Sequence, residues 1–141
     1  MPELGTAICL TKRSGSCLCG KVQCRISGKP FDADYCHCRQ CQKSMGSVVG
    51  AWMDFIREQI NWLNQQPKEY ASSEHVRRRF CEHCGTQLSF RDLRYPDYLT
   101  LSITSLDNPN SISPNYHIYT DSQLKWLTIV DECPRYKTAR S

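Results

Sequence analysis

The stretch FCEHCGTQ, residues 80–87, places Cys81 and Cys84 three positions apart, with Gly85 directly after them. Its counterpart is SCLCGK, residues 16–21, where Cys17 and Cys19 are followed by Gly20. A glycine at that place admits the tight turn that lets backbone amides approach a thiolate. In an extended segment, residues two apart lie on one side, so Cys17 and Cys19 can reach one ion, and C-x-x-C achieves the same in a turn. Together the pairs supply four thiolates, the ligand set of a closed tetrahedral zinc site. The pairs are separated by about sixty residues, so a shared ion ties the first hairpin to the middle of the chain. The expected role is structural: without the metal the domain should unfold.

The chain has 141 residues, the size of one ordinary domain, and ten of them are cysteine. The segment MPELGTAICLTKRSGS, residues 1–16, lacks a basic segment followed by an apolar core and a small-residue cleavage site, so it does not read as a secretory signal. Clustered cysteines in that setting are metal ligands sooner than disulfides, and the expected location is cytoplasmic. No apolar run approaches the roughly 18 residues of a membrane span. The formal charge of +4 is mild for a nucleic-acid binder and suits a small anionic ligand. The only dense basic run is HVRRRF, with Arg77, Arg78 and Arg79. Its nearness to Cys81 places it by the paired cysteines, and solvated strand charges are its simplest reading.

Alternation in LCGKVQCRISG sets Val22, Cys24 and Ile26 on one face and Lys21, Gln23 and Arg25 on the other, a half-buried strand. SVVGAWMDF reads as a more deeply buried strand, and REQINWL as a short helical turn followed by a strand. KEYASS, VRRRF, QLSFR, YLTLSI, HIYT and LKWLTI are further short strand candidates, and DNPNSISPN is a turn-rich loop. Only residues 36–45 look helical, for a turn or two. The expected fold is mainly β, several small antiparallel sheets pinned by metal with one short helical turn. Residues 1–14 read as a lead-in, 15–136 as the zinc-binding domain and 137–141 as a tail.

A third cluster, Cys36, Cys38 and Cys41 in YCHCRQCQ, offers only three thiolates. The fourth ligand of such a site is water, His37 or an arriving group, and an open zinc position marks a catalytic or ligand-binding centre. His37 sits between two ligands, so alternation turns its side chain away from them, and a hydrogen-bonded structural role fits it better. Cys24 shares an apolar face and reads as core. Cys9 and Cys133 have no partner at ligand spacing.

GSCLCGKV, CHCRQCQK, RRFCEHCGTQLSF and ITSLDNP occur in this order, followed by HIYT, LKW and CPRY. This pattern resembles the glutathione-dependent formaldehyde-activating enzyme family, also called the centromere protein V/GFA family. The resemblance runs from Gly15 to Tyr136 and implies a zinc-pinned, Mss4-like β fold. It implies a structural zinc on Cys17, Cys19, Cys81 and Cys84, and a second zinc, described as catalytic, on Cys36, Cys38 and Cys41. It further implies two zinc ions per chain and a small thiol substrate. The family's named reaction joins glutathione and formaldehyde into S-hydroxymethylglutathione, and in reverse it is a carbon–sulfur lyase.

Two other readings stand beside this enzyme reading. A zinc-stabilised module binding nucleic acid or protein needs a wider basic stripe than one arginine triplet. A thiol-based reductase needs a nucleophilic cysteine beside a resolving one, and Cys9, Cys24 and Cys133 are the candidates.

Overall fold

The computed structural model describes residues 12–140. Two sheets carry the fold. The smaller has strand order β1-β2-β5, with β1 at Lys12–Ser16, β2 at Gln23–Ser27 and β5 at Ile60–Trp62. The larger runs β10-β3-β4-β9-β8-β7-β6. Its strands are β3 (Asp32–Cys36), β4 (Gly50–Ile56), β6 (Lys68–Ala71), β7 (Val76–Phe80), β8 (Gln87–Asp92), β9 (Tyr98–Ser102) and β10 (Tyr116–Ile118). All pairings are antiparallel except that of β10 with β3. One α-helix, α1 (Arg39–Met45), follows β3, and short 3-10 turns join other elements. The mainly β expectation holds.

The main core lies between the small sheet and one face of the large one. Cys24 and Ile26 of β2 meet Ala33, Met53, Phe55 and Leu101, with Ile103 and Leu106 closing the end. The alternation read in β2 is thus real, and Cys24 is a core residue. Register sends Cys36, Trp52, Phe90 and Arg78 to the opposite face of the large sheet, because cross-strand partners share a side and neighbours along a strand alternate. Helix α1 covers that face near Cys36. Its length is set at one end by Cys38, whose Sγ accepts the Cys41 N–H, and at the other by Gly46 in the left-handed region at φ 59°.

Three readings of the sequence change. LKWLTI, residues 124–129, forms a turn and irregular chain rather than a strand. The segment meets no partner strand among the described residues, and its backbone closes locally instead, Leu127 N–H onto Leu124 O. Lys12–Ser14, read as lead-in, already belong to β1 and pair with Arg25–Ser27. DADYC, residues 32–36, is a strand whose three polar side chains hid it from a hydrophobicity pattern. Cys9 lies outside the described residues.

Gly15 is where the small sheet docks. A Cβ there would stand 2.8 Å from the Ser105 carbonyl oxygen and 3.4 Å from Cys24 Sγ. The bare backbone lets Gly15 bridge to Leu106, beside an Asp107 N–H to Ser14 O bond of 2.8 Å. Gly15→Ala should therefore destabilise the fold by about 1–3 kcal/mol through overpacking, read as a lower urea midpoint at unchanged slope.

Buried carboxyls give the fold a pH signature. Burial pushes Asp34 up to about 7 and Asp54 up to about 6. Both therefore keep protons in the folded state that the unfolded chain has released. Their stabilising contribution is complete below the ordinary aspartate value near 4 and is lost as pH rises through about 6–7. Asp54→Asn, which can still accept the Thr100 hydroxyl, should flatten the fall in stability between about pH 4 and 7 in urea titrations.

Candidate metal centres

The first centre is built by two matching turns. Cys17 N–H reaches Val22 O at 3.0 Å, and Cys81 N–H reaches Thr86 O at 3.0 Å, so each segment folds back five residues on. Gly20 and Gly85 take φ of 83° and 80°, which only glycine adopts without strain. Cys17 and Cys19 are thus brought together by a turn and not by extended alternation. The four Sγ atoms of Cys17, Cys19, Cys81 and Cys84 all lie within 4.8 Å of one another. Cys17 to Cys19 is 3.6 Å and Cys19 to Cys81 is 3.8 Å. A tetrahedron with metal–sulfur bonds of roughly 2.3 Å has edges of about 3.8 Å, so these thiols fit a zinc-sized ion. Val22 N–H points at Cys17 Sγ at 3.3 Å, a donor for the bound thiolate. Val22 and Leu88 seal the cluster from below.

The second centre is the start of α1. Cys36, Cys38 and Cys41 bring three Sγ atoms within 4.8 Å, and no histidine or carboxylate joins them among the described residues. Cys36 Sγ–H donates to Cys38 Sγ at 3.3 Å. That bond, then one from Cys41, drives Cys38 down to about 2 and Cys36 far up, with the Arg78 charge also favouring the Cys38 thiolate. Three close thiols share protons in this way when nothing positive lies between them, and a divalent cation removes the conflict. The donor set therefore fits a metal. All nine described cysteines are free thiols, as metal-ligand spacing requires.

His37 turns away from the cluster, as alternation implied. It is fully buried, and its Nε2 lies 2.8 Å from His117 Nδ1. His117 Nε2 in turn lies 2.9 Å from Asp131 Oδ2. The His117 hydrogen bond holds the Asp131 carboxyl down at about 2, so it accepts from His117 Nε2–H. His117 Nδ1 then accepts from His37 Nε2–H. Burial lowers His37 to about 4, so it is neutral at pH 7. The same region is laced by backbone bonds: His37 N–H to Ile118 O, His117 N–H to Pro134 O and Tyr136 N–H to His117 O.

The arginine triplet divides. Arg79 and Arg91 grip Glu69 at 3.1 and 2.7 Å, and Arg77 donates to the carbonyls of Ser73 and Glu74. Arg78 is buried, 7% exposed, and its Nη1 donates to Ser44 Oγ of α1. Its guanidinium sits over Phe90, 5.1 Å from the ring centre. The expectation of solvated charges nearest the paired cysteines is therefore overturned for Arg78, whose face belongs to the three-cysteine cluster. Strand alternation puts Arg78 on the face opposite Arg77 and Arg79, and packing, which alternation does not report, decides which face is covered. Outside the cluster, an open cleft of about 560 Å³ is lined by Gln40, Lys43, Ser44, Tyr70, Arg78 and Phe80.

The two remaining described thiols, Cys24 and Cys133, are poor nucleophiles. Burial raises Cys24 to about 11 and also raises Cys133, whose Sγ–H points to Pro114 O. Neither bonds another thiol among the described residues.

The two centres predict different responses to metal loss. Cys81→Ser should abolish cooperative folding, because the first centre staples two sheets. Cys36→Ser should leave a folded chain with one metal fewer. Circular dichroism melts and metal counts by mass spectrometry check both.

Comparison with known proteins gives the family. Residues 12–122 match the family described as "Glutathione-dependent formaldehyde-activating enzyme". A Halomonas elongata protein provisionally named as that enzyme is 25% identical over 126 residues, 82% of this chain and 79% of its own length. A Rhodobacter sphaeroides protein of known crystal structure shares the fold at a TM-score of 0.56, with 18% identity, over 86% of this chain and 98% of that one. With both cysteine clusters inside the matched span, the chain belongs to the glutathione-dependent formaldehyde-activating enzyme family.

Proposed function

We propose that this chain binds two zinc ions and acts on a thiol adduct such as S-hydroxymethylglutathione, as a carbon–sulfur lyase that also runs toward adduct formation. The observation that carries this reading is the second centre: three converging thiols without a fourth protein donor among the described residues, beside a cleft of ligand size. A zinc ion held there by Cys36, Cys38 and Cys41 supplies a site at which a thiol is kept as thiolate.

The chain's own groups suit such a substrate. Glutathione is an anion, and Lys43 and Arg78 line the cleft with positive charge, while Gln40, Gln87, Tyr70 and Ser72 offer hydrogen-bond partners. Burial of Cys36, Cys41 and Trp52 keeps water from the inner side of the cluster. In the lyase direction the carbon–sulfur bond breaks, its electron pair stays on sulfur, formaldehyde departs and the hydroxyl proton passes to solvent. Holding sulfur and carbonyl together lowers the entropic cost of the reverse step.

Two features speak against the other readings. Arg78 is buried and Arg79 is paired with Glu69, so the triplet forms no phosphate-binding stripe. The raised Cys24 and Cys133 thiols do not supply a reductase couple.

Exchange spectroscopy on glutathione and formaldehyde, with the spontaneous reaction subtracted, tests the proposal. The zinc-loaded chain should speed interconversion at least tenfold over background, a transition-state gain of about 1.4 kcal/mol. Cys38→Ser should bring the rate to background without unfolding. A zinc-loaded chain that leaves the spontaneous rate unchanged refutes the assignment.

A further inference from the structure

The face that carries Cys36 holds two buried donors without partners among the described residues: Trp52 Nε1 and Arg78 Nε. Trp52 is 3% exposed and Arg78 is 7% exposed. An indole N–H and a guanidinium N–H kept from water without an acceptor each carry the cost of desolvation. Native structures rarely bear that cost twice at one place without a ligand to relieve it.

Both lie on the sheet face that carries Cys36, Trp52 against the thiols and Arg78 beyond Phe90. Trp52 packs directly against Cys36 and Cys41. Its Nε1 occupies the space a side chain at residue 50 would fill, since a Cβ on Gly50 would collide with it. Gly50 is the cross-strand partner of Cys36. The indole N–H is thus held over a bare patch of backbone beside the first thiol of the cluster. Phe90 meets the Trp52 ring edge-on at 4.8 Å and carries the Arg78 guanidinium on its own face. Arg78 is fixed from the other side by Ser44, one helical turn after Cys41. Trp52, Phe90 and Arg78, from β4, β8 and β7, form one layer under α1.

We infer that Trp52 Nε1–H and Arg78 Nε–H are the protein donors to an anionic fourth ligand on the second centre, and that they select the thiolate of the substrate proposed above. The inference rests on that reading for the identity of the ligand, but not for its charge. Charge balance supports it. Three thiolates on a divalent cation leave one net negative charge, and an incoming thiolate makes two. A buried guanidinium returns the total to one, and a polarised N–H beside the sulfur spreads what remains. The site thereby accepts a fourth anion that a bare three-thiolate centre would resist. Arg78 also lines the outer cleft, so one side chain joins the substrate's route to the position of its sulfur.

Cobalt in place of zinc makes this measurable, because sulfur-to-cobalt charge-transfer bands and ligand-field intensity report the fourth ligand directly. Glutathione and thiocyanate are titrated into the cobalt-loaded wild type, Trp52→Phe and Arg78→Lys. Trp52→Phe keeps the aromatic contact and loses the N–H. Arg78→Lys keeps the charge and loses the Nε–H, and it carries the test if the first variant fails to fold. Each variant should retain the three-thiolate bands of the ligand-free protein and bind either anion about tenfold more weakly. Anion binding within twofold of wild type in the folded variants overturns the inference and leaves the proposed function standing. If wild type binds thiocyanate and not glutathione, the proposed substrate is wrong, and weaker thiocyanate binding by the variants still supports the donor pair. If wild type binds neither anion, there is no fourth ligand to hold and the inference falls.

Discussion

Everything in this fold depends on one crossing point, where the turn after β1 meets the turn after β7. Cys17 and Cys19 come from the small sheet's side, Cys81 and Cys84 from the large sheet's, and their sulfurs close into one tetrahedron-sized cluster. The small sheet has three short strands, and its apolar face must be buried against another layer. It is secured by the apolar layer around Met53 and Phe55 and by these four thiols. That junction fixes how the large sheet lies, and so which of its faces is left for α1 and the second cluster. The two centres divide the work: one sets the architecture, the other is placed by it.

Much of this was legible in the residues. Cysteine spacing gave the two thiol clusters that could hold a metal, and alternation in β2 gave the core face down to Cys24. The same alternation turned His37 away from its flanking thiols and set Arg78 opposite Arg77 and Arg79. What stayed hidden was the outcome of tertiary packing. A strand written DADYC carries its apolar character in its neighbours and not in itself. The run at residues 124–129 has strand-forming residues but meets no partner edge. Whether a given strand face is covered is decided by a helix some forty residues away in the chain, which no local pattern reports. This is why Arg78 read as a surface charge and Trp52 as plain core.

On the proposed reading, the second centre is a cation-binding cluster also prepared for an anion. Its thiols are stacked on aromatic rings, with a guanidinium behind them and a cleft in front. Removing water strengthens every one of these charge interactions, in both directions. A centre so placed is sensitive to the sign of whatever enters it. That sensitivity arises from the sheet's register, which lines up Arg78, Phe90 and Thr100 across three strands, and not from any loop.

The buried series from Asp131 through His117 to His37 has a consequence for energetics. It joins a late segment of the chain to the junction between β3 and α1 that carries Cys36 and Cys38, and backbone bonds from residues 134–138 to β10 and its exit run beside it. Two parts of a protein that share such a seam are thermodynamically linked, and the linkage is reciprocal. Whatever free energy the docked segment lends to ordering the thiol-bearing junction, a ligand that orders the junction must lend back to docking the segment. A ligand that orders the thiol-bearing segment would thus raise the late segment's protection from hydrogen exchange, at a distance from the ligand itself.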